Sequence, residues 1–296
     1  MANAQTRSLI SDAALRRARG KLSYRIVLTV TVVVFTLVFL GPLFFLFTGG
    51  LKSAQEAIQT PPTLIPHHLH FDTYSNAWSR VGVGRLLVNT LFYAFGALAF
   101  QLVFDVAAAY ALSKLRPAMG NVIFAMMLAT LMIPAAVLVV PQYVTVADLP
   151  ILHINLIGSP EAIWLPAVAN AFNIFLLKRF FDSIPRELTD AAEIDGAAPV
   201  YVLLRIIIPI SRPILGVVSI FALVAVWRDF LWPLLVEGAY EPTRQTLNVG
   251  LQQAQLTTPQ NQILAASAIA AIPTIVFFLI FQRNILSGLT AGSLKG

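Results

Sequence analysis

Long apolar runs separated by short polar stretches make up most of this chain. A helix that crosses the hydrocarbon core of a bilayer needs about 20 mostly apolar residues. Runs of that kind lie at residues 26–48, 85–113, 121–143, 162–181, 213–236 and 263–283. The fourth run contains Pro166, Asn170 and Asn173, so we expect it to pack inside protein rather than face lipid. The pattern predicts an all-α membrane protein with six transmembrane helices.

Composition supports membrane residence. The chain of 296 residues is 57% hydrophobic and only 11% charged, whereas a soluble domain carries about 25% charged residues. There is no cysteine, which excludes disulfide bonds, thiolate metal ligands and a cysteine nucleophile. The first apolar run is longer than the core of a signal peptide, so we interpret it as a retained span.

The positions of lysine and arginine predict the orientation, because short cytosolic loops are enriched in these residues. They are concentrated in residues 1–25, in the 114–120 loop and in the polar stretch 185–212, whereas the 144–161 loop has none. Both termini and the polar stretch are therefore predicted to be cytosolic. The net charge of +6 is then explained by topology, and we expect no nucleic-acid partner.

These boundaries divide the chain into a single membrane domain with flanking segments. We expect a cytosolic N-terminal segment (1–25), a loosely attached first transmembrane helix (26–48), an external loop (49–84), a main transmembrane domain (85–283) and a cytosolic tail (284–296). In the external loop, His67, His68 and His70 could bind a metal ion, because imidazole is a common ligand. No carboxylate lies within this cluster, so we favour an irregular, solvated loop and predict no metal site.

A charged island at residues 185–212 interrupts the apolar pattern. Pro185 suits the first turn of a helix, Glu187 favours the N-terminal end of the helix dipole, and Gly196 suits a left-handed residue after the last turn. A second helical run follows and reaches Pro209, where we expect it to break before the fifth span. A helix of about three turns is unstable alone in water, so something must hold it.

The first helix of this island has two different faces. At 100° per residue, Ala191 and Ala192 fall on one side and leave a smooth strip that another surface can approach closely. Glu187 and Asp190 fall on the other side and provide charge for orientation. The alternative is an amphipathic helix lying on the membrane, but such helices favour Lys and Arg near anionic lipid. A short helix, a glycine turn and a second helix would form a stiff elbow that passes motion between a cytosolic partner and the spans.

The spacing within the elbow resembles the EAA loop of bacterial ATP-binding-cassette (ABC) importer permeases. In this chain the first residue of the pattern is Asp190, where the family has Glu, and Ile208 stands where the family has Leu. In that family the loop is a coupling helix that sits in a cleft of the ATP-hydrolysing subunit. The resemblance implies a coupling role for Glu187, Asp190, Ala191, Ala192, Gly196, Ile206 and Pro209.

Further segments extend the resemblance over most of the chain. They are Ala108–Leu112, Met132–Pro134, Phe180–Pro185, Phe230–Leu234 and Gly288–Gly296. Together they look like the carbohydrate-uptake branch, and specifically the six-span partner in permease pairs of the maltose-transporter type. One departure is Trp227-Arg228-Asp229, where the family usually has Trp-Asn-Asp.

The resemblance implies the type I ABC-importer permease architecture and a location in the bacterial inner membrane. The implied partners are a second permease subunit, two ATP-hydrolysing subunits and an external solute-binding protein, with Gly288–Gly296 reaching between the ATPases. The phosphate-binding loop Gly-x-x-x-x-Gly-Lys-Ser/Thr is absent from this chain. The chain would therefore be non-catalytic and hold no cofactor, and ATP would bind the partner subunits. The resemblance also implies that the solute is a sugar or oligosaccharide, which crosses the membrane by alternating access.

Polar and ionisable residues within spans are candidates for function. Those of the fifth span that could line a solute path are Trp227, Arg228, Asp229 and Trp232, with Tyr240 nearby. The alternative is structural, with Asp229 or Asp105 pairing with Arg228 across helices to fix the packing. Both interpretations stay open at this point.

Two other classes of function compete with the importer. An ion-coupled secondary transporter would need buried carboxylates and broken helices in internal repeats, for which Asp105 alone is thin support. A membrane-embedded enzyme would need histidines and carboxylates clustered within spans, but the histidines lie in loops.

Overall fold

The computed structural model describes residues 18–238 and 242–291, and in this part of the chain every regular element is a helix. The helices are α1 (Ala18–Gly49), α2 (Ala54–Ala57), α3 (Asp72–Arg80), α4 (Val83–Leu115), α5 (Gly120–Thr130), α6 (Ala135–Ala147), α7 (Glu161–Ala167), α8 (Ala171–Ser183), α9 (Arg186–Ile194), α10 (Pro199–Ile210), α11 (Arg212–Arg228), α12 (Leu231–Pro233), α13 (Leu247–Ala254) and α14 (Gln260–Ala291). π-Helical turns close α4 (Ala111–Leu115), lie within α10 (Leu203–Ile207) and follow α12 (Leu234–Gly238). The predicted all-α fold class is confirmed.

Uninterrupted spans are fewer than the six predicted. Within the described residues, three helical segments are long and apolar enough to cross a membrane: Leu22–Gly49, Val83–Leu115 and Gln260–Ile280. The pairs α5–α6 and α10–α11 would each pass as one span but are bent, by 107° and 85° respectively. The count is therefore three, or five if each bent pair is one span, and the number six is not confirmed.

The third predicted span turns before Pro134. Helix α5 ends at Thr130, and α6 begins directly after Pro134, whose backbone is extended at φ −58° and ψ 129°. A proline disfavours the α-helical conformation of the residue before it, so α5 cannot continue through Ile133. The side chain of Met132 at the turn is 85% exposed.

The fourth predicted span, 162–181, is divided into α7 and α8. Asn170 has extended backbone angles, φ −114° and ψ 110°, and directly precedes α8. Its side-chain oxygen accepts a hydrogen bond from the N–H of Asn173 at 3.0 Å, which caps the new helix. The asparagines that dilute the apolar pattern are thus the residues that begin α8.

The fifth predicted span, 213–236, is interrupted after Arg228. Asp229 has extended backbone angles, φ −68° and ψ 133°, and its Oδ1 accepts a hydrogen bond from the N–H of Trp232 at 3.4 Å. Aspartate competes with helix continuation in this way because its carboxylate binds nearby backbone N–H groups.

At the C-terminal end of the chain, α14 continues to Ala291, so the predicted tail 284–296 begins as helix, and residues 292–296 lie outside the described part.

Helix α4 lies at the centre of the packing. It contacts α7, α8 and α11 along its length and α13 near its start. The main cluster of buried apolar residues joins α4 to α8 and α10, and includes Val106, Tyr110, Leu177, Phe181 and Ile207. The core therefore surrounds the C-terminal half of α4, next to the elbow.

Helix α1 is attached mainly at its C-terminal end. Large apolar side chains from Ile26 to Leu40 are about half exposed or more, as suits contact with lipid or another subunit. Beyond the helix, the chain approaches α14 so closely that a Cβ on Gly50 would lie 2.8 Å from the Cα of Ala265. The contacts of α1 with the rest of the described chain therefore lie toward its C-terminal end.

The glycine at the closest approach of α4 and α7 provides a test of the packing. A Cβ on Gly96 would overlap the indole ring of Trp164, whose Nε1 donates a hydrogen bond to the carbonyl of Tyr93 at 3.2 Å. We expect Gly96→Val to destabilise the protein by about 1–3 kcal/mol, the usual cost of overpacking, measured as a lower unfolding temperature in detergent. Gly41→Val is the matched control, because nothing lies within 4 Å of a Cβ at that position. Equal shifts in the two variants would contradict the proposed packing.

A buried polar cluster orders the segment between α1 and α3. Lys52 is 1% exposed, and its Nζ donates a hydrogen bond to the carbonyl of Thr63. Glu56 accepts hydrogen bonds from Thr63 Oγ1 at 2.9 Å and from the N–H of His67 at 3.1 Å. The loop that we expected to be irregular therefore has a fixed centre.

This cluster makes the stability of the segment depend on pH. Burial opposes ionisation of Glu56, but hydrogen bonds from Thr63 and His67 and the nearby charges of His67 and Lys52 outweigh it and hold the pKa of Glu56 below its ordinary 4.5. Such a carboxylate stabilises the fold at pH above its unfolded-state pKa, and the contribution is lost as pH falls through the lower folded-state pKa. We expect hydrogen-exchange protection factors for residues 52–67 to fall as the pH drops below 4.5, and to fall less in Glu56→Gln. An equal fall in the variant would assign the acid sensitivity to another group.

Candidate functional site

The polar island forms a helical elbow. Helix α9 follows Pro185 and ends before Gly196, which has a φ of +78° that only glycine adopts readily. The N–H of Gly196 donates to the carbonyl of Glu193 at 3.0 Å, and the N–H of Ala197 donates to the carbonyl of Ala192 at 2.9 Å. These bonds satisfy the last carbonyls of α9, and the chain then enters α10 at Pro199.

Helix α9 presents most of its surface outward. Thr189 is buried, and Ala192 packs against the main apolar cluster. Exposed residues of this helix include Glu187, Leu188, Asp190, Ala191 and Ile194, the last with 86% of its surface accessible. The expected strip of two outward alanines is therefore split, because neighbouring residues point about 100° apart and only Ala191 faces out.

The second helix of the elbow differs from the expectation at its end. Ile206 packs against the main apolar cluster, as part of the π-helical turn of α10. Pro209 does not break the helix, which continues to Ile210 and bends by 85° at Ser211. A π-helical turn shifts the hydrogen-bonding pattern by one residue, and this turn directly precedes the proline-containing end of α10. The predicted break is thus displaced from Pro209 to Ser211.

Both tryptophans proposed for a solute path are buried in packing contacts. The ring of Trp227 meets that of Phe277 edge-on, with centroids 5.8 Å apart. The Nε1 of Trp232 donates a hydrogen bond to the carbonyl of Ala162 at 2.9 Å. Each residue is 9% exposed, and each contributes to the lining of one of two cavities beside α11. Tyr240 lies outside the described residues.

Arg228 and Asp229 open onto two different cavities. Arg228 lines a cavity of about 480 Å³ bounded by α11, α13 and α14, whereas Asp229 lines one of about 410 Å³ bounded by α6, α7 and α11. Among the described residues, no ion pair joins Arg228 to Asp229 or to Asp105. The structural alternative, a charge pair across helices, is therefore not found.

Asn248 of α13 fixes this break, and the sequence reasoning missed it. Its Nδ2 donates to the carbonyls of Trp227 at 2.9 Å and Asp229 at 3.3 Å. It also lines the cavity that Arg228 enters. An amide that binds two carbonyls at the end of α11 stabilises the interrupted helix, because backbone groups in a membrane domain need partners within the protein. The signal available in the sequence was a polar residue facing the end of a span.

The histidines of the first loop do not gather into a metal-binding group. Across the described ranges, no set of three His, Cys, Asp or Glu side chains is arranged to hold a metal ion. His67 approaches Glu56 at 4.0 Å, and His70 approaches Asp72 at 3.8 Å. The histidines thus contact separate carboxylates.

Asp105 lies on α4, opposite the break between α7 and α8. It is fully buried, and its Oδ1 accepts a hydrogen bond from the backbone N–H of Asn170 at 2.9 Å. That N–H belongs to the residue that caps α8 and has no helical partner of its own. Asp105 therefore holds the interrupted helix in place.

The described residues form a helical domain with interrupted apolar spans and an exposed two-helix elbow. The chain belongs to the family of binding-protein-dependent transport system inner membrane components, whose family model matches residues 105–289. It is thus a permease component of an importer rather than an ion-coupled carrier.

Relatives match over nearly the whole chain. The arabinooligosaccharides transport system permease protein AraQ of Bacillus subtilis is 29% identical over 280 residues, which cover 92% of this chain and 96% of AraQ. The sulfoquinovosyl glycerol transport system permease protein SmoH of Agrobacterium fabrum is 33% identical over 261 residues, or 87% of this chain and 89% of SmoH. The sn-glycerol-3-phosphate transport system permease protein UgpE of Escherichia coli is 30% identical over 261 residues, or 85% and 91%.

A solved structure shares the fold. It is a crystal structure of a bacterial ABC transporter involved in the import of the acidic polysaccharide alginate, and the matching chain aligns with a TM-score of 0.78 at 24% identity. The alignment covers 90% of this chain and 98% of that chain. At 24% sequence identity, this structural similarity shows that the two chains share a fold.

Substitution of Asp105 tests how the interrupted fourth span is held. We expect Asp105→Leu to destabilise the protein by about 1–3 kcal/mol, because the N–H of Asn170 would lose the buried carboxylate that accepts its hydrogen bond. Asp105→Asn is the matched control, since its amide oxygen can still accept that hydrogen bond. Thermal unfolding in detergent measures both, and equal losses would mean that the charge of Asp105, rather than its hydrogen bond, stabilises the break.

Proposed function

We propose that this chain is the non-catalytic permease subunit of an ATP-driven importer for a sugar, an oligosaccharide or a related polyhydroxyl solute. The elbow formed by α9 and α10 is the surface on which an ATP-hydrolysing subunit docks. The solute passes through the membrane domain by alternating access. ATP is bound by the partner subunits, and the permease itself needs no cofactor.

The exposure of α9 is the observation that carries this proposal. A nine-residue helix is too short to be stable alone in water, yet it keeps its acidic residues and Ile194 exposed. A helix that is held in place while its outer face remains uncovered is ready to dock into a cleft. Glu187 and Asp190 would orient the partner, Ala191 would allow close approach, and Gly196 would fix the angle to α10.

The solute class rests on the relatives. Their systems are named for arabinooligosaccharides, sulfoquinovosyl glycerol and sn-glycerol-3-phosphate, which share several hydroxyl groups and differ in charge. Polyhydroxyl solutes need hydrogen-bonding groups along their path. Arg228 and Asp229 supply such groups to the two cavities beside α11. Trp227 and Trp232 line the same two cavities, one each, and would offer more ring surface to a solute if the transport cycle widens them.

The partner set follows from the type of transport system. A solute-binding protein docks on the external side, a second permease subunit completes the membrane domain, and two ATPase subunits bind on the cytosolic side. Both termini are cytosolic, in agreement with the lysine and arginine distribution. Closure of the ATPases moves the elbow, and the spans then change access from one side of the membrane to the other.

A bulky residue on the outer face of α9 tests the docking surface. We expect Ala191→Trp to reduce recovery of the ATPase subunit in a pull-down by about tenfold or more, the scale of a disrupted interface centre. Ala54→Trp is the matched control, because Ala54 is also an exposed alanine on a short helix but lies in the first external segment. Undiminished recovery with Ala191→Trp would reject α9 as the docking helix.

A further inference from the structure

The C-terminal end of α4 is hydrogen-bonded to the chain on either side of the elbow helix α9. The Nζ of Lys114 donates a hydrogen bond at 2.8 Å to the carbonyl of Ile184, which lies just before α9. The Oη of Tyr110 donates a hydrogen bond at 3.1 Å to the carbonyl of Pro199, the first residue of α10. The segments that flank the helix we propose to dock on the ATPase are therefore both held to one transmembrane helix.

A third contact ties the same turn to the end of α8. The Oγ of Ser113, which is 1% exposed, donates a hydrogen bond to Oδ1 of Asp182 at 2.7 Å. The other carboxylate oxygen of Asp182 accepts a hydrogen bond from Lys178 at 2.8 Å. Both oxygens of this carboxylate are engaged, which orients it toward α4, and charge-assisted bonds of this kind are among the stronger hydrogen bonds in proteins.

The backbone of α4 changes from an α-helix to a π-helical turn at the position of these side chains. Tyr110 is the last residue before the π-helical turn that contains Ser113 and Lys114. Arg116 ends the turn with a φ of +48° and donates from Nε to the carbonyl of Ser113 at 3.0 Å. π-Helical turns and left-handed residues other than glycine carry a local cost and often occur at functional sites.

We propose that Tyr110, Ser113 and Lys114 form a clamp that makes α9 and α4 move as one body during transport. This inference rests on the proposed function, in which α9 receives the motion of the ATPase. Two of the three bonds go to backbone carbonyls, so the clamp holds the path of the chain rather than particular elbow side chains. The three residues are positioning residues: they contact neither solute nor ATP, and they act by transmitting the displacement of α9 to the centre of the membrane domain.

The test uses the complete transporter, with the second permease, the ATPase subunits and the solute-binding protein. Tyr110→Phe combined with Lys114→Met removes both hydrogen bonds to the chain that flanks α9, while keeping the aromatic ring and nearly the length of the second side chain. Tyr24→Phe combined with Arg179→Met is the matched control, because it also removes one phenolic hydroxyl and one cationic group, but from side chains on α1 and α8 that lie outside the elbow.

Spin labels on this chain report the motion directly. The chain has no cysteine, so Val88→Cys near the start of α4 and Asp195→Cys at the end of α9 can be labelled before assembly. Residues 88 and 110 of α4 are separated by about 33 Å at 1.5 Å per residue, a span suited to pulsed electron paramagnetic resonance. With the clamp intact, we expect the distance distribution to stay the same without nucleotide and with ATP plus vanadate.

In the clamp variant we expect ATP plus vanadate to shift or broaden that distribution. We also expect stimulation of ATP hydrolysis by the solute-binding protein to fall about tenfold, the scale of losing one hydrogen bond from a charged donor. A distance change in the unmodified permease as large as that in the variant would overturn the clamp, and so would coupling equal to that of the control. If the unmodified permease recovers no ATPase subunit in a pull-down, both the proposed function and the clamp are rejected. If it does recover the subunit, either contrary result above rejects the clamp alone.

Discussion

One unbroken helix, α4, supplies hydrogen-bonding partners to the interrupted segments around it. Asp105 accepts from the N–H of Asn170 at the start of α8, and Thr90 Oγ1 accepts from the N–H of Leu247 at the start of α13. At its C-terminal end the same helix donates to backbone carbonyls on either side of α9. The bends of the surrounding chain are possible because α4 is continuous and meets their free backbone groups.

This dependence follows from the membrane environment. Water is absent from the hydrocarbon core, so an unsatisfied backbone group there costs several kcal/mol, and interrupted helices persist only where other parts of the protein bind their ends. Asn248 does this at the end of α11, and Asn170 does it with its own side chain at the start of α8. The polar residues within the apolar runs thus have a structural reason to lie where the helices stop.

The long spans and the elbow could be predicted from local sequence, whereas the interruptions could not. The first, second and sixth apolar runs correspond to α1, α4 and α14 within a few residues, with longer extensions at the start of α1 and the end of α14, because continuous hydrophobicity alone determines such helices. The break at Asp229 depends on Asn248, about 20 residues away, and the burial of Ala192 depends on a cluster contributed by α4 and α8. Such contacts are tertiary, so neither apolar pattern nor helix periodicity contains them.

The geometry of the elbow also limits how motion can reach the membrane domain. The bend of 85° at Ser211 places α10 nearly perpendicular to α11, so a displacement along the axis of α10 would rotate or slide α11 rather than push along it. Tyr110 and Lys114 instead connect the elbow to α4, which packs against α7, α8 and α11. Packed helices transmit displacement because protein interiors are dense and yield little to compression. A movement of α9 would therefore reach the two cavities beside α11 from two sides: directly through α10, and through α4 by way of the helices that line them.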